Sequence, residues 1–214
     1  MMRIGRVLMG LAIFCAASCS LGTVLEPTAD PSKFFVLTPI DSASREVPIT
    51  YDSGGVNRPL EIGLGPVKFP AYLERPEMVT RSSPTQVELS PINRWAEPLQ
   101  KDFVSVLAQD LMIQLGAHIV TFPWYRPTNL DYQVTVDITR FDTDTKGSAE
   151  LNGRWEVKDP NTGDLLKSGE IRQTEAAQGS ETRAATLSRA LGHLSTQLAD
   201  TIRTTKHPPA PKES

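Results

Sequence analysis

The sequence predicts an α+β protein in which two long helices pack on a twisted, largely antiparallel sheet. Three observations lead to this fold class. Several segments alternate apolar and polar residues with the period of two that is typical of half-buried strands. Two long segments place apolar residues three and four positions apart, as amphipathic helices do. These segments follow one another as four strands, a helix, four strands and a helix, so we expect both helices on one face of the sheet.

The first half is organised around residues 62–81, IGLGPVKFPAYLERPEMVTR. Alternation begins at Leu60 and changes parity at Pro66, which predicts a bulge or an edge kink because proline has no N–H to donate. A second strand at 78–81 is expected to pair with 86–89 across a short turn. Lys33–Ile40 is a further strand, and a short one is possible at 47–51 in a loop rich in Ser, Gly and Pro.

The first helix is predicted over Trp95–Leu115, with Pro98 in its first turn and Gly116 at its C-terminus. Its apolar face is broad, as expected for a helix that packs on a sheet. Asp110 lies inside that face. It is either a functional buried acid or, as we favour, a partly exposed carboxylate or one bonded to a neighbour.

The second half is predicted to contain four strands and a closing helix, at 117–122, 132–139, 151–157, 165–174 and 181–204. The turn 159–164, DPNTGD, joins the last two strands as a hairpin. Ser180 is the expected N-cap of the closing helix.

The N-terminus is typical of an exported lipoprotein. Arg3 and Arg6 precede a short apolar run, and the run ends in Ala-Ala-Ser before Cys19. This arrangement resembles the lipobox of bacterial lipoproteins, which makes Cys19 the predicted lipid attachment site. The alternative is an ordinary secretory signal that happens to contain cysteine. Residues 1–18 are then the signal peptide, 19–31 a lipidated tether, 32–205 a single α+β domain and 206–214 a disordered tail.

The loop Pro70–Pro76 is the candidate contact surface, through Pro70, Tyr72, Leu73, Arg75 and Pro76. Its prolines restrict the backbone, so docking on a partner costs little conformational entropy. Tyrosine and arginine are also enriched at interface hot spots. The alternative is structural: Tyr72 and Leu73 would cover this domain's own core, and Arg75 would pair with a carboxylate such as Glu97.

The same stretch carries a family resemblance. GPVKFPAYLERPEMVTR, with INRWAEPL at 92–99 and FFVLTP at 34–39, resembles the PqiC/YmbA family of ABC-type transport auxiliary lipoproteins. The resemblance runs from about Cys19 to the last helix. It implies a periplasm-facing auxiliary subunit of a lipid transport system with mammalian-cell-entry (MCE) domains, which contributes to envelope integrity. It also implies an MCE-domain periplasmic partner and a homo-oligomer. Ser20, in place of the aspartate associated with inner-membrane retention, favours anchoring in the outer membrane.

The residues offer little for catalysis. The three histidines, His118, His193 and His207, have no Cys or carboxylate at metal-ligand spacing, so we expect no metal and no cofactor. Asp142 and Asp144 are interpreted as turn formers. A net charge of −3 without a basic cluster argues against nucleic acid as a partner. We therefore expect a protein that is not an enzyme, with a periplasmic carrier of an apolar ligand or, less favoured, a hydrolase as alternatives.

Overall fold

The computed structural model describes residues 30–41, 50–53, 56–124, 129–179 and 182–205. The chain divides at Pro31 into two units, and the fold described here is that of the second, Ser32–Ser214. Cys19, the tether up to residue 29 and the tail 206–214 lie outside the described residues, as does most of the loop that follows Asp41. The predicted α+β class is confirmed: an open sheet of eight strands carries two helices.

The elements of the large sheet are β1 Lys33–Phe35, β4 Glu61–Lys68, β5 Glu77–Ser83, β6 Gln86–Trp95, β7 His118–Thr121, β8 Tyr132–Asp144, β9 Ala149–Lys158 and β10 Leu165–Glu175. A separate two-stranded hairpin consists of β2 Thr50–Ser53 and β3 Val56–Pro59. The helices are α1 Leu99–Leu115 and α2 Arg183–Thr204. Within the described ranges, no helix combines the length and the apolar character that a membrane crossing requires.

Strand β8 organises the sheet. It pairs along one edge with β9, which in turn pairs with β10, and these two antiparallel ladders are the longest. Along its other edge β8 pairs first with β4 and then with β5, and both of these pairings are parallel. Parallel pairs also join β4 to β7 and β1 to β6. The sheet is therefore mixed, because β8 is parallel to β4 and β5 along one edge and antiparallel to β9 along the other.

The expected parity change in β4 is confirmed. The register of β4 against β8 shifts between Leu64 and Val67, on either side of Pro66. The expected pairing of β5 with β6 is also present, with Val79 opposite Leu89. The β6 strand is longer than expected and continues to Trp95.

The predicted start of α1 at Trp95 is wrong. Trp95 is the last residue of β6, where it lies opposite Phe35 and donates its N–H to the Pro76 carbonyl at 2.7 Å. The helix begins at Leu99, after Pro98. The expected C-terminus is confirmed, since Gly116 adopts a left-handed conformation with a φ of 59° and closes the last turn.

The predicted cap of α2 is also wrong. Ser180 lies outside the described residues, and the helix begins two residues later than expected for that cap. The N-cap is Thr182, whose hydroxyl accepts a hydrogen bond from the Ala185 N–H at 3.3 Å. Serine and threonine are both good caps, so residue type alone does not separate the two positions.

Strand β1 is shorter than the predicted Lys33–Ile40 because residues 37–40 leave the sheet and cross the two helices. Side chains of the two helices accept hydrogen bonds from the backbone N–H groups of this segment. Leu37 donates to Asp102 Oδ2 at 2.7 Å, Thr38 to Ser188 Oγ at 3.0 Å and Ile40 to Asp110 Oδ1 at 2.9 Å. Asp110 is thus fully buried and bonded to a neighbour. Burial raises its pKa to about 6, although the Ile40 N–H favours the charged form.

The core lies between the helices and the inner face of the sheet. Its aromatic centre consists of Phe69, Phe103 and Phe141, which meet edge to face. Ring centroids are 5.0 Å apart for Phe69 and Phe103 and 5.3 Å apart for Phe103 and Phe141. Phe69 directly precedes the loop Pro70–Pro76, so this packing holds the start of the loop against the core.

Candidate functional site: the loop Pro70–Pro76 and the cavity beside it

The loop spans a gap between two strands that share one neighbour. Strand β4 pairs with β8 as far as Lys68 opposite Asp137, and β5 resumes the pairing at Thr80 opposite Thr143. Between these two pairings the chain leaves the edge of β8 and returns to it. The loop is therefore an excursion between two fixed strand ends, and both ends are held by the same sheet.

Local hydrogen bonds fix the loop backbone. Residues Ala71–Leu73 form a single 3-10 turn, in which the Leu73 N–H donates to the Pro70 carbonyl at 3.0 Å. The Arg75 N–H donates to the Leu73 carbonyl at 2.9 Å, and the Pro76 carbonyl accepts from Trp95. With a proline at each end as well, the loop has few conformations left to lose when it contacts another molecule.

Two of the predicted contact residues serve this domain's own fold. Leu73 is 3% exposed and belongs to the hydrophobic core. Tyr72 packs against the core with its ring and donates its hydroxyl to Asp142 Oδ2 at 2.8 Å. Pro70 and Arg75 are partly exposed, and Pro76 is exposed. The contact role of the five residues stays a prediction, and the second half of the loop, with Glu74 and Pro76 exposed, is its more accessible part.

Asp142 is the centre of a charged cluster on the outer face of the sheet. Its carboxylate accepts from Arg81 Nη2 at 2.8 Å, from Arg140 Nε at 2.8 Å and from the Tyr72 hydroxyl. Arg140 also bonds Glu150 on the neighbouring strand. The Arg81 guanidinium lies 5.6 Å from the centroid of the Tyr72 ring. The cluster ties the loop to β5 and β8.

The interpretation of Asp142 as a turn former is wrong. The residue lies within β8 and is only 1% exposed. Asp144 ends the same strand, and its carboxylate accepts the Lys146 and Ser148 N–H groups of the following turn, as a turn former does. The alternation of β8 continues beyond Ile138 after an irregularity between Ile138 and Arg140. Because of that irregularity, residues 140–144 do not continue the two-residue alternation of 132–138, so the sequence pattern alone does not show that they belong to the strand.

The electrostatics of the cluster follow from this burial. Burial and the hydrogen bond to the Asp142 carboxylate raise the pKa of Tyr72 to about 12, so the phenol stays neutral and remains a donor. The hydrogen bond to Asp142 raises the pKa of Arg81 as well. A neutral phenol and two guanidinium groups around one carboxylate stabilise structure. They offer no proton that could be transferred near neutral pH.

A cavity of about 360 Å³ opens between the second half of the loop and the start of α1. Its walls are mainly apolar, and the lining residues are Phe69, Leu73, Glu74, Arg75, Pro76, Trp95, Ala96, Glu97, Pro98, Leu99 and Gln100. Gln100 is held by a 2.6 Å hydrogen bond from its Nε2 to the Val67 carbonyl. The volume is at the lower end of the range for small-ligand pockets, which is roughly 300–1,000 Å³.

Arg75 is the cation of this cavity, and the expected alternative of a pair with Glu97 is not what the structure contains. Glu97 instead pairs with Lys101 at 3.1 Å, one turn along α1. Among the described residues, Arg75 has no ion pair, and its Nε is buried without a hydrogen-bond partner. Arg75 is partly exposed as a residue, so a carboxylate brought by another molecule could pair with the accessible part of its guanidinium.

The part of the chain that the structure describes contains no group of three or more His, Cys, Asp and Glu residues that could hold a metal ion. The two described histidines each lie beside one glutamate. His118 Nδ1 is 2.7 Å from Glu61 and His193 Nε2 is 3.0 Å from Glu175. Both histidine side chains are exposed, so these pairs contribute little to stability.

Comparison with known proteins agrees with this architecture. A crystal structure of an uncharacterised protein has a TM-score of 0.59 at 20% identity, covering 80% of this chain and 98% of that one. Protein XCC0632 from Xanthomonas campestris has a TM-score of 0.56 at 15% identity, covering 78% of this chain and 92% of that one. At these identities the likeness shows a shared fold. No curated protein matches the sequence.

The family is shown by the sequence itself. The family model described as "ABC-type transport auxiliary lipoprotein component" matches residues 45–199, which include the loop Pro70–Pro76, α1, most of α2 and the cavity between the loop and α1. The chain therefore belongs to the family of ABC-type transport auxiliary lipoprotein components.

Proposed function

We propose that this protein is an outer-membrane-anchored periplasmic lipoprotein that serves as auxiliary subunit of an MCE-domain lipid transport system between the inner and outer membranes. In that role it contributes to envelope integrity and has no turnover of its own. The observation that carries the proposal is the match to the transport auxiliary lipoprotein family over residues 45–199. A family of auxiliary components works by contact with other proteins, so the site of interest is a surface.

The N-terminal sequence supports the anchoring part. The run of small residues before Cys19, after two arginines and an apolar stretch, resembles a lipoprotein processing site, with Ala16 at the position where leucine is commonest. Processing would attach more than one acyl chain to Cys19. Two or more chains hold a domain at a membrane stably, whereas a single chain gives only marginal binding.

The loop Pro70–Pro76 supports the contact part. It combines a backbone fixed by hydrogen bonds, an exposed Pro76 and a partly exposed Arg75 beside an apolar cavity. Interface hot spots combine these features: a preorganised backbone, an arginine and a pocket for an apolar anchor. Tyr72 and Leu73 contribute indirectly, because they hold the loop in place.

A carrier function is the second candidate, and the cavity is the observation that favours it. A volume of about 360 Å³ with mainly apolar walls could hold part of an apolar ligand. A carrier would retain such a ligand through purification, whereas a docking subunit would retain a protein partner.

The experiment that tests the proposal is a native pull-down of the tagged full chain from membranes solubilised in mild detergent, followed by mass spectrometry. We expect an MCE-domain protein to be enriched with the wild type and to be lost with Cys19→Ala, which cannot be anchored. Density-gradient fractionation of the same membranes should place the chain in the outer-membrane fraction. Recovery of the chain without any MCE-domain protein, or in the inner-membrane fraction, would contradict the proposal.

A further inference from the structure

We propose that the cavity beside the loop Pro70–Pro76 receives the β9–β10 turn of a second copy of this chain, with Leu165 in the apolar cavity and Asp164 facing Arg75. This inference rests on the proposed function only in that an auxiliary subunit acts through protein contacts. It adds the identity of one occupant and the two surfaces that meet.

The cavity sets two requirements for an occupant. Its walls are mainly apolar, with Phe69, Leu73, Trp95 and Leu99 contributing the apolar surface, so the inserted group must be an apolar side chain. Arg75 is partly exposed and has no ion pair among the described residues, so the occupant must also bring an acceptor for its guanidinium. A carboxylate is the strongest acceptor for a guanidinium. A matching segment therefore has an exposed apolar residue next to an acid.

The turn between β9 and β10 meets both requirements. Leu165 is the first residue of β10 and is 56% exposed, although it is a large apolar side chain. Asp164 directly precedes it and is exposed. The only hydrogen bond that the Asp164 carboxylate has among the described residues comes from the nearby Thr162 hydroxyl, at 2.8 Å, which leaves most of its accepting capacity free for a guanidinium.

The other large exposed apolar residues of the described chain fit less well, and Val36, Ile92 and Met112 have no acid directly beside them in the sequence. Phe34 is next to Lys33, which would repel Arg75, and Phe122 is followed by a proline and has no acidic neighbour. Val87 and Leu89 flank Glu88, but in a strand the side chain of Glu88 points to the opposite face from both. Leu165 with Asp164 is therefore the better match to the two requirements.

Both surfaces are stiff, which lowers the entropic cost of the contact. In the β9–β10 turn, the Gly163 N–H donates to the Asp159 carbonyl and the Asp159 N–H donates to the Asp164 carbonyl, each at 2.9 Å. Gly163 has a φ of 78°, in the region that glycine adopts without strain. The loop Pro70–Pro76 is fixed by the bonds described above. Neither surface has to reorganise before it docks.

The contact would be head to tail. The turn lies at the end of the sheet where β9 finishes, with Lys158 opposite Gln133 near the start of β8. The cavity lies beside the gap in the pairing of β8 between Asp137 and Thr143. The two surfaces are thus different patches of one chain. Contacts of this kind form a closed ring when the rotation closes and a filament when it does not.

A charge swap tests the contact. The full chain, purified in detergent with its N-terminus intact, is studied by sedimentation velocity as wild type, Arg75→Glu, Asp164→Arg and the double variant. We expect the wild type to self-associate and each single variant to weaken association by about tenfold, which corresponds to 1.4 kcal/mol. The double variant should recover the wild-type association, because the two charges then face each other in the opposite order.

Matched controls separate the contact from folding and from general surface effects. Leu165→Ser should weaken association, whereas Leu89→Ser, at another exposed leucine, should not. Glu88→Arg is the matching control for Asp164→Arg. All variants should melt within a few degrees of the wild type.

Three results would overturn the inference. One is a wild type that stays monomeric at every concentration studied. Another is association that none of the variants changes. The third is a co-purified apolar ligand, detected by native mass spectrometry, that is lost with Arg75→Glu while association persists, since it would assign the cavity to a carrier role. In each case capture of an MCE-domain protein by the wild type would show that the proposed function stands without this contact.

Discussion

Replacing Tyr72 with phenylalanine removes one hydroxyl group and leaves the aromatic ring in place. The hydroxyl donates to the Asp142 carboxylate at 2.8 Å, and the ring packs against the core beside Arg81. Because Asp142 keeps its bonds to Arg81 and Arg140, no buried charge is left unpaired. The variant therefore measures one hydrogen bond to a charged group.

The expected loss is modest but measurable. Hydrogen bonds to charged groups contribute about 1.5–3 kcal/mol, and the lower end applies here because Tyr72 is only partly buried. We expect the free energy of unfolding to fall by about 1.5 kcal/mol. For a domain of this size the melting temperature should fall by about 3–6 °C.

Chemical denaturation in mild detergent measures this change, with circular dichroism as the signal. The midpoint should move to lower denaturant while the slope stays constant, which shows a change in stability alone. Arg75→Gln is the matched control within the same loop. Its side chain has no ion pair among the described residues and its buried Nε–H has no acceptor, so we expect no loss of stability.

The effects of the two variants on partner binding should be the reverse of their effects on stability. Tyr72→Phe should keep partner contact in the folded fraction, since the loop position is maintained by Leu73 and by the backbone bonds. Arg75→Gln should weaken partner contact at unchanged stability. If Tyr72→Phe left the melting temperature unchanged, or Arg75→Gln lowered it by several degrees, the division of the loop into a structural half and a contact half would be refuted.

Four further outcomes are expected. Asp142→Ala should lower the free energy of unfolding by about 3 kcal/mol in denaturant titrations, because Arg81 and Arg140 lose a buried partner; wild-type stability would refute this. The pKa of Asp110 is about 6 in the folded state against 3.8 in the unfolded state, so the folded state binds the proton more tightly. The free energy of unfolding should therefore fall by up to about 3 kcal/mol as pH rises from about 4 to 6. Asp110→Asn should flatten this dependence. Cys19→Ala should lose incorporation of labelled palmitate, and labelling that survives would remove the lipoprotein assignment of that residue. Elemental analysis of the purified chain should find no stoichiometric zinc, and generic ester and phosphodiester substrates should not be hydrolysed; turnover abolished by a single substitution would contradict this.

Much of the local structure could be predicted because it depends on neighbours in the chain. Proline cannot donate to a strand ladder, so the shift in β4 at Pro66 is readable from the sequence. Gly116 ends α1 because a left-handed residue closes a helix most easily when it is glycine. The β9–β10 hairpin follows from a turn-forming segment between two alternating strands.

The candidate site was predicted in part. The stiffness of the loop Pro70–Pro76 follows from its prolines, and the structure confirms an ordered turn there. Which loop residues pack against the core and which stay accessible could not be predicted, because this depends on residues far away in the sequence. Asp142 is 70 positions from Tyr72, and Trp95, which lines the cavity, was expected in a helix.

Sequence by itself determined the α+β class, the family and the local signals that begin and end most elements, since these depend on composition and on short-range periodicity. Tertiary structure alone decided which strands pair in parallel, that Trp95 ends β6, and that Asp142 is a buried partner of two arginines. The physical reason is that pairing and burial are set by long-range contacts. A tryptophan or an aspartate is compatible with several local conformations, and the packed sheet selects one of them.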